Sequence, residues 1–444
     1  MDVSFHIVYC VNPLFNYNLH SDNKTTLCAL LNDHGVLDVK EKEKGDKFMK
    51  MVKNKMVFLA PIIALAVVLI FSLTLIPSVN PTPKNLPIAF VNEDQGVTLP
   101  DQTKVNMGEK MADMIKTSAE PKSGEEPVVD WVTVKSYKEV KHGLDKRKYY
   151  AALVIPKDFS QKQASLQTPK PSSPEVQILV NQGMNTMAST LAGQMLNGIV
   201  DNMNTNIRSQ ILTGFEKQEG TLTTKQAAAI ATPITKNVTN VNETGTHSAN
   251  GNAPVSLFQP LWMACIAGAA FLTIMLNKLP FANRREKLAN QLVQVLIGAV
   301  IAILVGFGLT WMADAVGMHI PNFTSIAWFL SIAYFSFFLM ISAALSWLGM
   351  KGLPLFVIIL FFGAPLLSMA PELMSSFYTN WIYSWLPMRF MVDGLRELFF
   401  FDKGLSWNHP TAVLVGIGIG GLTVLWASAL KPGPKKEGES QTNM

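Results

Sequence analysis

Met56–Ile76 reads MVFLAPIIALAVVLIFSLTLI. These 21 residues carry no charge, and only Ser72 and Thr74 interrupt the apolar side chains. At a helical rise of about 1.5 Å per residue the run covers roughly 30 Å, the depth of a bilayer's hydrocarbon core. Pro61 does not spoil the reading, because membrane helices tolerate proline. The stretch is read as a transmembrane helix, and everything downstream must then be sorted by the side of the membrane on which it lies.

The composition agrees. Only 16% of the 444 residues are charged and 49% are hydrophobic, against about 25% charged in a soluble domain. Mean hydropathy is +0.23. Five more spans are expected at Leu257–Leu276, Gln291–Trp311, Ser325–Leu348, Leu353–Ala370 and Thr411–Leu430. Lys50, Lys53 and Lys55 precede the first span, Lys278, Arg284, Arg285 and Lys287 follow the second, Lys351 sits in a tight turn, and Lys431, Lys435 and Lys436 close the chain. The loop with Asp314 and His319 has no Lys or Arg. Basic residues mark cytoplasmic ends, so the expected fold is an α-helical bundle of six transmembrane helices (1 + 5). Both termini are then cytoplasmic, and an extracytoplasmic α/β domain is inserted after the first helix.

The domains follow in order. Residues 1–48 lack a basic, apolar leader pattern and read as an extension upstream of the true start, with a short cytoplasmic arm as the alternative. Residues 49–76 are the basic flank and first span, 77–256 the outer domain, 257–430 the five-span block and 431–444 a tail. The outer domain opens on a proline-rich stalk at Pro77–Pro83. Strands are expected at Leu86–Asn92, Val128–Val134, Tyr149–Ile155 and Glu175–Asn181, and helices at Lys104–Lys116, after Ser136 and after Pro156. Ser136 and Glu139 form a capping-box pattern. This alternation argues for one mixed sheet. Met184–Gln218 reads as a long helix, either an arm or a partner-binding coil, and Thr221–Ala253 as a linker. Of the three cysteines, Cys10, Cys28 and Cys265, none falls between Ile76 and Ser256. An exported domain without disulfides suits a bacterial envelope. The sequons at Asn237 and Asn242 are then irrelevant.

Three strings, LPIAFVNEDQG from Leu86, WVTVKSYKEVKHGLDKRKYYAALVIPKDFS from Trp131 and VQILVNQGMN from Val176, resemble the YhgE/Pip family of the type-2 class of ABC transporter permeases. The resemblance implies one span, a large outer domain, five further spans, and an ABC ATPase subunit in trans serving a homo- or heterodimer in membrane lipids. It also implies a coupling helix in the loop KLPFANRREKLANQ (Lys278–Gln291), with Arg284, Arg285, Glu286 and Lys287 as its contacts. The bland reading is that these charges only serve the positive-inside bias. WLPMRFMVDGLRELFF (Trp385–Phe400) resembles the amphipathic segment before the last span of such permeases. Its helical spacing puts Met391, Leu395, Leu398 and Phe399 on one face and Arg389, Asp393 and Arg396 opposite, with Glu397 completing a candidate outer gate helix. A passive anchor is the alternative.

Gly416 and Gly420, alongside Gly418 and Gly421, are candidate helix-packing residues, with Ala264-x-x-x-Gly268 a weaker case. Asn290, Gln291 and Gln294 are read as interfacial. No span has a charge near its centre, so no ion-coupled pump is expected. P-loop, H-E-x-x-H, C-x-x-C and G-x-S-x-G patterns are all absent. His142, His247 and His319 are scattered. No enzyme activity, cofactor, metal or nucleic-acid partner is expected. The reading is an ABC exporter permease that moves a hydrophobic or amphipathic substrate out of a bacterial cell. The alternative is a cell-surface scaffold or receptor for a phage, a cell-wall component or a secretion machine.

Overall fold

A computed structural model of the protein describes residues 65, 81, 83–99, 102–118, 126–217, 221–277 and 283–430. All but Leu65 belong to the second of two compact units, which begins at Ile70. The expected extension 1–48, the basic flank, the span Met56–Ile76 apart from Leu65, and the tail 431–444 lie outside the described residues.

Strand β1 (Leu86–Asn92) sits between β4 (Val129–Thr133) and β5 (Ala151–Ile155), parallel to both. Beyond β5 come β6 (Glu175–Asn181), antiparallel to it, and β7 (Thr235–Val241), parallel to β6, so the sheet is mixed in the order β4-β1-β5-β6-β7. Side chains alternate across it. Leu86, Ile88 and Phe90 pack on one face, while Ala89 and Val91 pack on the other against Val140 and Leu144 of α2 (Tyr137–Asp145). Ser136 caps α2 by accepting from Glu139 N, but the Glu139 carboxylate accepts from Lys135 N, so only half of the expected capping box forms.

The first face is covered by α1 (Met107–Ser118), α3 (Phe159–Ser165) and α4 (Thr186–Lys217). Helix α4 lays Ala188, Ala192, Leu196, Val200 and Met203 into that core at close to four-residue spacing. It is neither a free arm nor a coil waiting for a partner along that stripe. The helix expected from Lys104 starts later, because Lys104–Val105 (β3) pairs with Val97–Thr98 (β2). Asp94, buried after β1, ties the region together. Its carboxylate accepts from the backbone of Gly96, Gly108 and Ser160 and from the Ser160 hydroxyl. The linker expected at Thr221–Ala253 is overturned in its first half, which forms α5 (Thr224–Ala231) and the edge strand β7. β7 is hard to see in sequence because its side chains are mostly polar, with four of the seven exposed. Its pairing with β6 is a matter of backbone hydrogen bonds.

The described residues that follow carry six further helices: α6 (Ala253–Asn277), α7 (Arg284–Ala315), α8 (Phe323–Leu348), α9 (Leu353–Leu367), α10 (Pro387–Phe400) and α11 (His409–Ala427). Among the described residues, four stretches are long and apolar enough to cross a membrane: Ala253–Leu276, Arg284–Ala315, Phe323–Leu367 and His409–Leu430. The third joins α8 and α9 through a 3-10 turn at Gly349–Gly352. With 15 residues, α9 reaches only about 22 Å, short of the roughly 30 Å that a full span needs. The expected span at Leu353–Ala370 thus holds a helix that begins where expected and ends three residues early, at Leu367.

α8 is the hub. Methyl groups placed on Gly298 and Gly306 of α7 or on Gly394 of α10 would overlap Phe338, Ser331 and Phe329 of α8, and one on Gly421 of α11 would lie 2.7 Å from Met340 N. Gly268 of α6 makes room for the Tyr334 hydroxyl, which donates to Ala264 O at 3.3 Å. The weaker pattern, Ala264-x-x-x-Gly268, is thus a real contact. Gly416 and Gly420 meet nothing within 4 Å; Gly418 and Gly421 make the helix contact instead. Exposed Trp328 and Trp347 lie 19 positions apart on α8, roughly 28 Å along the axis, as membrane-interface aromatics would.

Candidate functional site

The polar residues of α10 gather where the sheet meets the bundle. The helix starts on Pro387, whose fixed φ suits a first helical position. Its apolar residues Met391, Leu395, Leu398 and Phe399 are buried as the spacing predicts, but the opposite face is not open to water. Arg147, from the turn after α2, spans it. One guanidinium nitrogen lies 3.3 Å from Asp393 Oδ1, and the other lies 3.3 Å from Glu397 Oε1 and donates to Asp393 O. The Arg147 guanidinium also lies 5.9 Å from the Phe401 ring centre. Glu397 is held further by Lys403 at 3.2 Å and Asn408 Nδ2 at 2.9 Å.

Arg396, only 4% exposed, donates to Leu367 O at 3.0 Å and reaches Asp393 at 3.5 Å. Arg389, expected on the same polar face, turns instead over the rings of Tyr383 and Phe390, 5.0 and 4.7 Å from their centres. The helix expected to be amphipathic at the outer face is thus enclosed on both faces.

Arg147 stands in an unusual backbone state. Its N–H bonds Leu144 O and that of Lys148 bonds Gly143 O, at 3.0 and 2.9 Å, the bond pair of a Schellman C-cap. The C′ position of that motif is usually glycine, yet Arg147 occupies it with φ +60°. A side chain kept where the backbone favours glycine signals that its head group is needed.

A second set of bonds lies beside this one. Tyr150 donates to Glu372 Oε2 at 2.6 Å, Lys84 N donates to Glu372 O at 2.8 Å, and Asn185 Nδ2 donates to Ser368 O at 3.0 Å. Burial pushes the Tyr150 phenol well above its usual range, and the charge and hydrogen bond of Glu372 push the same way. Gly183, after β6, leaves room for Phe400 of α10. The chain just before β1, the turn after α2 and the residues just before β5 and α4 are thereby fastened to α10 and to the segment between α9 and α10.

Arg284, Arg285, Glu286 and Lys287 lie at the other end of the bundle. α7 runs from them to the turn where His319 N bonds His247 O at 3.1 Å, on the sheet side. The expected coupling helix is not separate among the described residues. These four form the first turn of α7, capped by Asn283, whose side chain accepts from Glu286 N at 3.0 Å. Arg284, Arg285 and Glu286 are exposed, while Lys287 donates to Ser428 O at 2.6 Å. Gln291 and Gln294, read as interfacial, are buried between helices, and Gln291 Nε2 donates to Leu425 O and Ser428 Oγ at 2.9 and 2.7 Å. The sheet domain adds a groove of about 450 Å³ between α1, α3 and α4, lined by Met107, Met114, Phe159, Met203 and Ile207 with Lys110 and Asp113 among them.

Sequence reading missed Arg147, Tyr150 and Glu372. Their partners lie 222 to 250 residues away, so no local pattern marks them. The family model described as "Protein of unknown function (DUF3533)" matches residues 57–416. The chain belongs to this family. The DUF3533 match takes in Arg147, Tyr150, Glu372, Asp393 and Glu397 and also Arg284–Lys287. No curated protein matches the chain. Among solved structures, one that resembles part of it is a domain of a putative ABC type-2 transporter from Thermotoga maritima MSB8. It is 18% identical with a TM-score of 0.23, over 35% of this chain and 86% of that one. A TM-score that low carries nothing over to this chain.

Proposed function

We propose that this DUF3533 chain is the membrane permease subunit of an ABC exporter of the YhgE/Pip type, driven by a separate cytoplasmic ATPase. Six helices cross the bacterial cell membrane, counting Met56–Ile76 and the short α9; both termini are cytoplasmic, and residues 77–256 face outward. One observation carries the reading: a single helix bundle holds an α/β domain on charged clasps at one end and presents Arg284 and Arg285 at the other. Basic side chains at a helix start oppose the helix dipole, so those two arginines serve something outside α7. Motion at the ATPase end would travel through the α8 contacts to α10 and reach the sheet through Arg147. The substrate is hydrophobic or amphipathic, in keeping with a methionine-lined groove of ligand size on the sheet domain. Two chains pair along the open Gly416 and Gly420 face of α11.

The test is co-purification with an ABC ATPase, followed by ATP hydrolysis in liposomes with amphipathic compounds. Stimulation is expected; a chain that binds no ABC ATPase from its own cell defeats the proposal. A second reading, a surface scaffold or receptor, draws on the same groove. It predicts that filling the groove with Ile207→Trp abolishes activity while charge reversal at Arg284 and Arg285 leaves it intact.

A further inference from the structure

At the bundle end opposite the sheet, α6, α7, α8 and the end of α11 enclose a cavity of about 80 Å³. Its walls are polar although the helices are apolar. Thr273, Gln291 and Ser342 are 7, 6 and 1% exposed, and each has a buried oxygen with no hydrogen-bond partner: Thr273 Oγ1, Gln291 Oε1 and Ser342 Oγ. Buried polar atoms are almost always paired, so three orphans around one space call for an occupant. The Gln291 amide orientation is set by its donation to Leu425 O, because only the NH₂ can donate to a carbonyl. Gln291 Oε1 therefore needs a donor from the cavity. The two hydroxyls can accept or donate. Half-buried Lys287 lines the same cavity and brings a positive charge to it.

We propose that this cavity binds a hydroxylated phosphate of the phosphoglycerol class, on the reading that the helices cross a membrane. Two hydroxyls of the glycerol satisfy Gln291 Oε1 and the Thr273 and Ser342 side chains, and the phosphate lies toward Lys287. At the roughly 30 Å³ that a water occupies in the liquid the space admits about three water-sized groups, which suits the terminal diol of a glycerol with its phosphate left beside Lys287. The source is either the head group of an anionic lipid at that membrane face or free glycerol phosphate.

The experiment reconstitutes the full chain in nanodiscs of phosphatidylcholine with 20% phosphatidylglycerol and counts retained lipids by native mass spectrometry. Failure to reconstitute would count against the membrane reading and leave the cavity a separate matter. Expected is one retained phosphatidylglycerol per chain, at least tenfold over phosphatidylcholine, with at least a tenfold loss of that preference in Gln291→Leu and in Lys287→Gln. Ser342→Ala removes one unpaired hydroxyl without adding bulk. It should weaken retention severalfold while leaving the unliganded protein at least as heat-stable, a split that a merely structural serine would not produce. Binding of free glycerol 3-phosphate without lipid preference assigns the soluble source. Equal retention of both lipids together with no glycerol phosphate binding, or unchanged retention in all three variants, overturns the proposal and leaves a water-filled cavity.

Discussion

The two ends of the helix bundle use charge in opposite ways. At the sheet end, Arg147, Asp393, Arg396 and Glu397 are partly or wholly buried and pair with one another. At the far end, Arg284 and Arg285 are exposed on the first turn of α7, where the helix dipole disfavours them. Buried, paired charge holds two parts of one molecule together, because removing a partner strands the other in a poor dielectric. Exposed charge contributes little to internal stability and is left for something outside the chain. One end is a joint; the other is where the proposed function puts a contact surface.

Charge reversal at the joint gives the largest expected effect. Arg147→Glu puts three carboxylates together and should cost about 3–5 kcal/mol, read as a fall in the thermal midpoint of the detergent-solubilised protein. Arg147→Gly should cost less, because glycine relieves the left-handed backbone by about 1 kcal/mol. Equal losses in the two variants would remove the guanidinium clasp from the comparison. The α8 hub that connects the ends comes next. Gly421→Leu should destabilise by about 1–3 kcal/mol through overpacking, whereas Gly416→Leu on the open face should leave a monomer unchanged.

Tyr150→Phe loses a hydrogen bond to a carboxylate, about 1.5–3 kcal/mol. Its pH dependence has a definite sign. Burial raises the phenol in the folded chain, so the tyrosine's stabilisation is complete below the unfolded value near 10 and declines as pH rises toward the folded value. The gap between wild type and Tyr150→Phe should therefore narrow above about pH 10. The smallest stability effect belongs to the contact surface. Arg284→Glu with Arg285→Glu should stay within about 0.5 kcal/mol of wild type yet lose ATPase co-purification. A large drop in the melting temperature would erase the difference between the two ends.

Legibility in sequence followed the range of the forces involved. The mixed sheet was readable from the short apolar runs Leu86–Asn92 and Tyr149–Ile155 and from the alternating Val128–Val134, because strand patterning is local. The apolar stretches near residues 257–276, 291–311, 325–348 and 411–430 were readable because length and absence of charge meet a uniform solvent, the bilayer. β7 was not, since an edge strand held by backbone bonds asks nothing of its side chains. Nor was the end of α9 at Leu367, three residues before the expected Ala370.

The packing glycines show the same limit. The small-residue spacing at Gly416 and Gly420 was visible, but the neighbouring pair, Gly418 and Gly421, faces α8, and only the rotation of α11 in the bundle selects it. By itself the sequence determined which segments are apolar enough for lipid, where the strands alternate, and that α10 has one apolar face. Only the tertiary structure decided what covers the other face. Arg147 meets Asp393 and Glu397 across some 250 residues of chain, and no local period records which distant charge will neutralise a buried one.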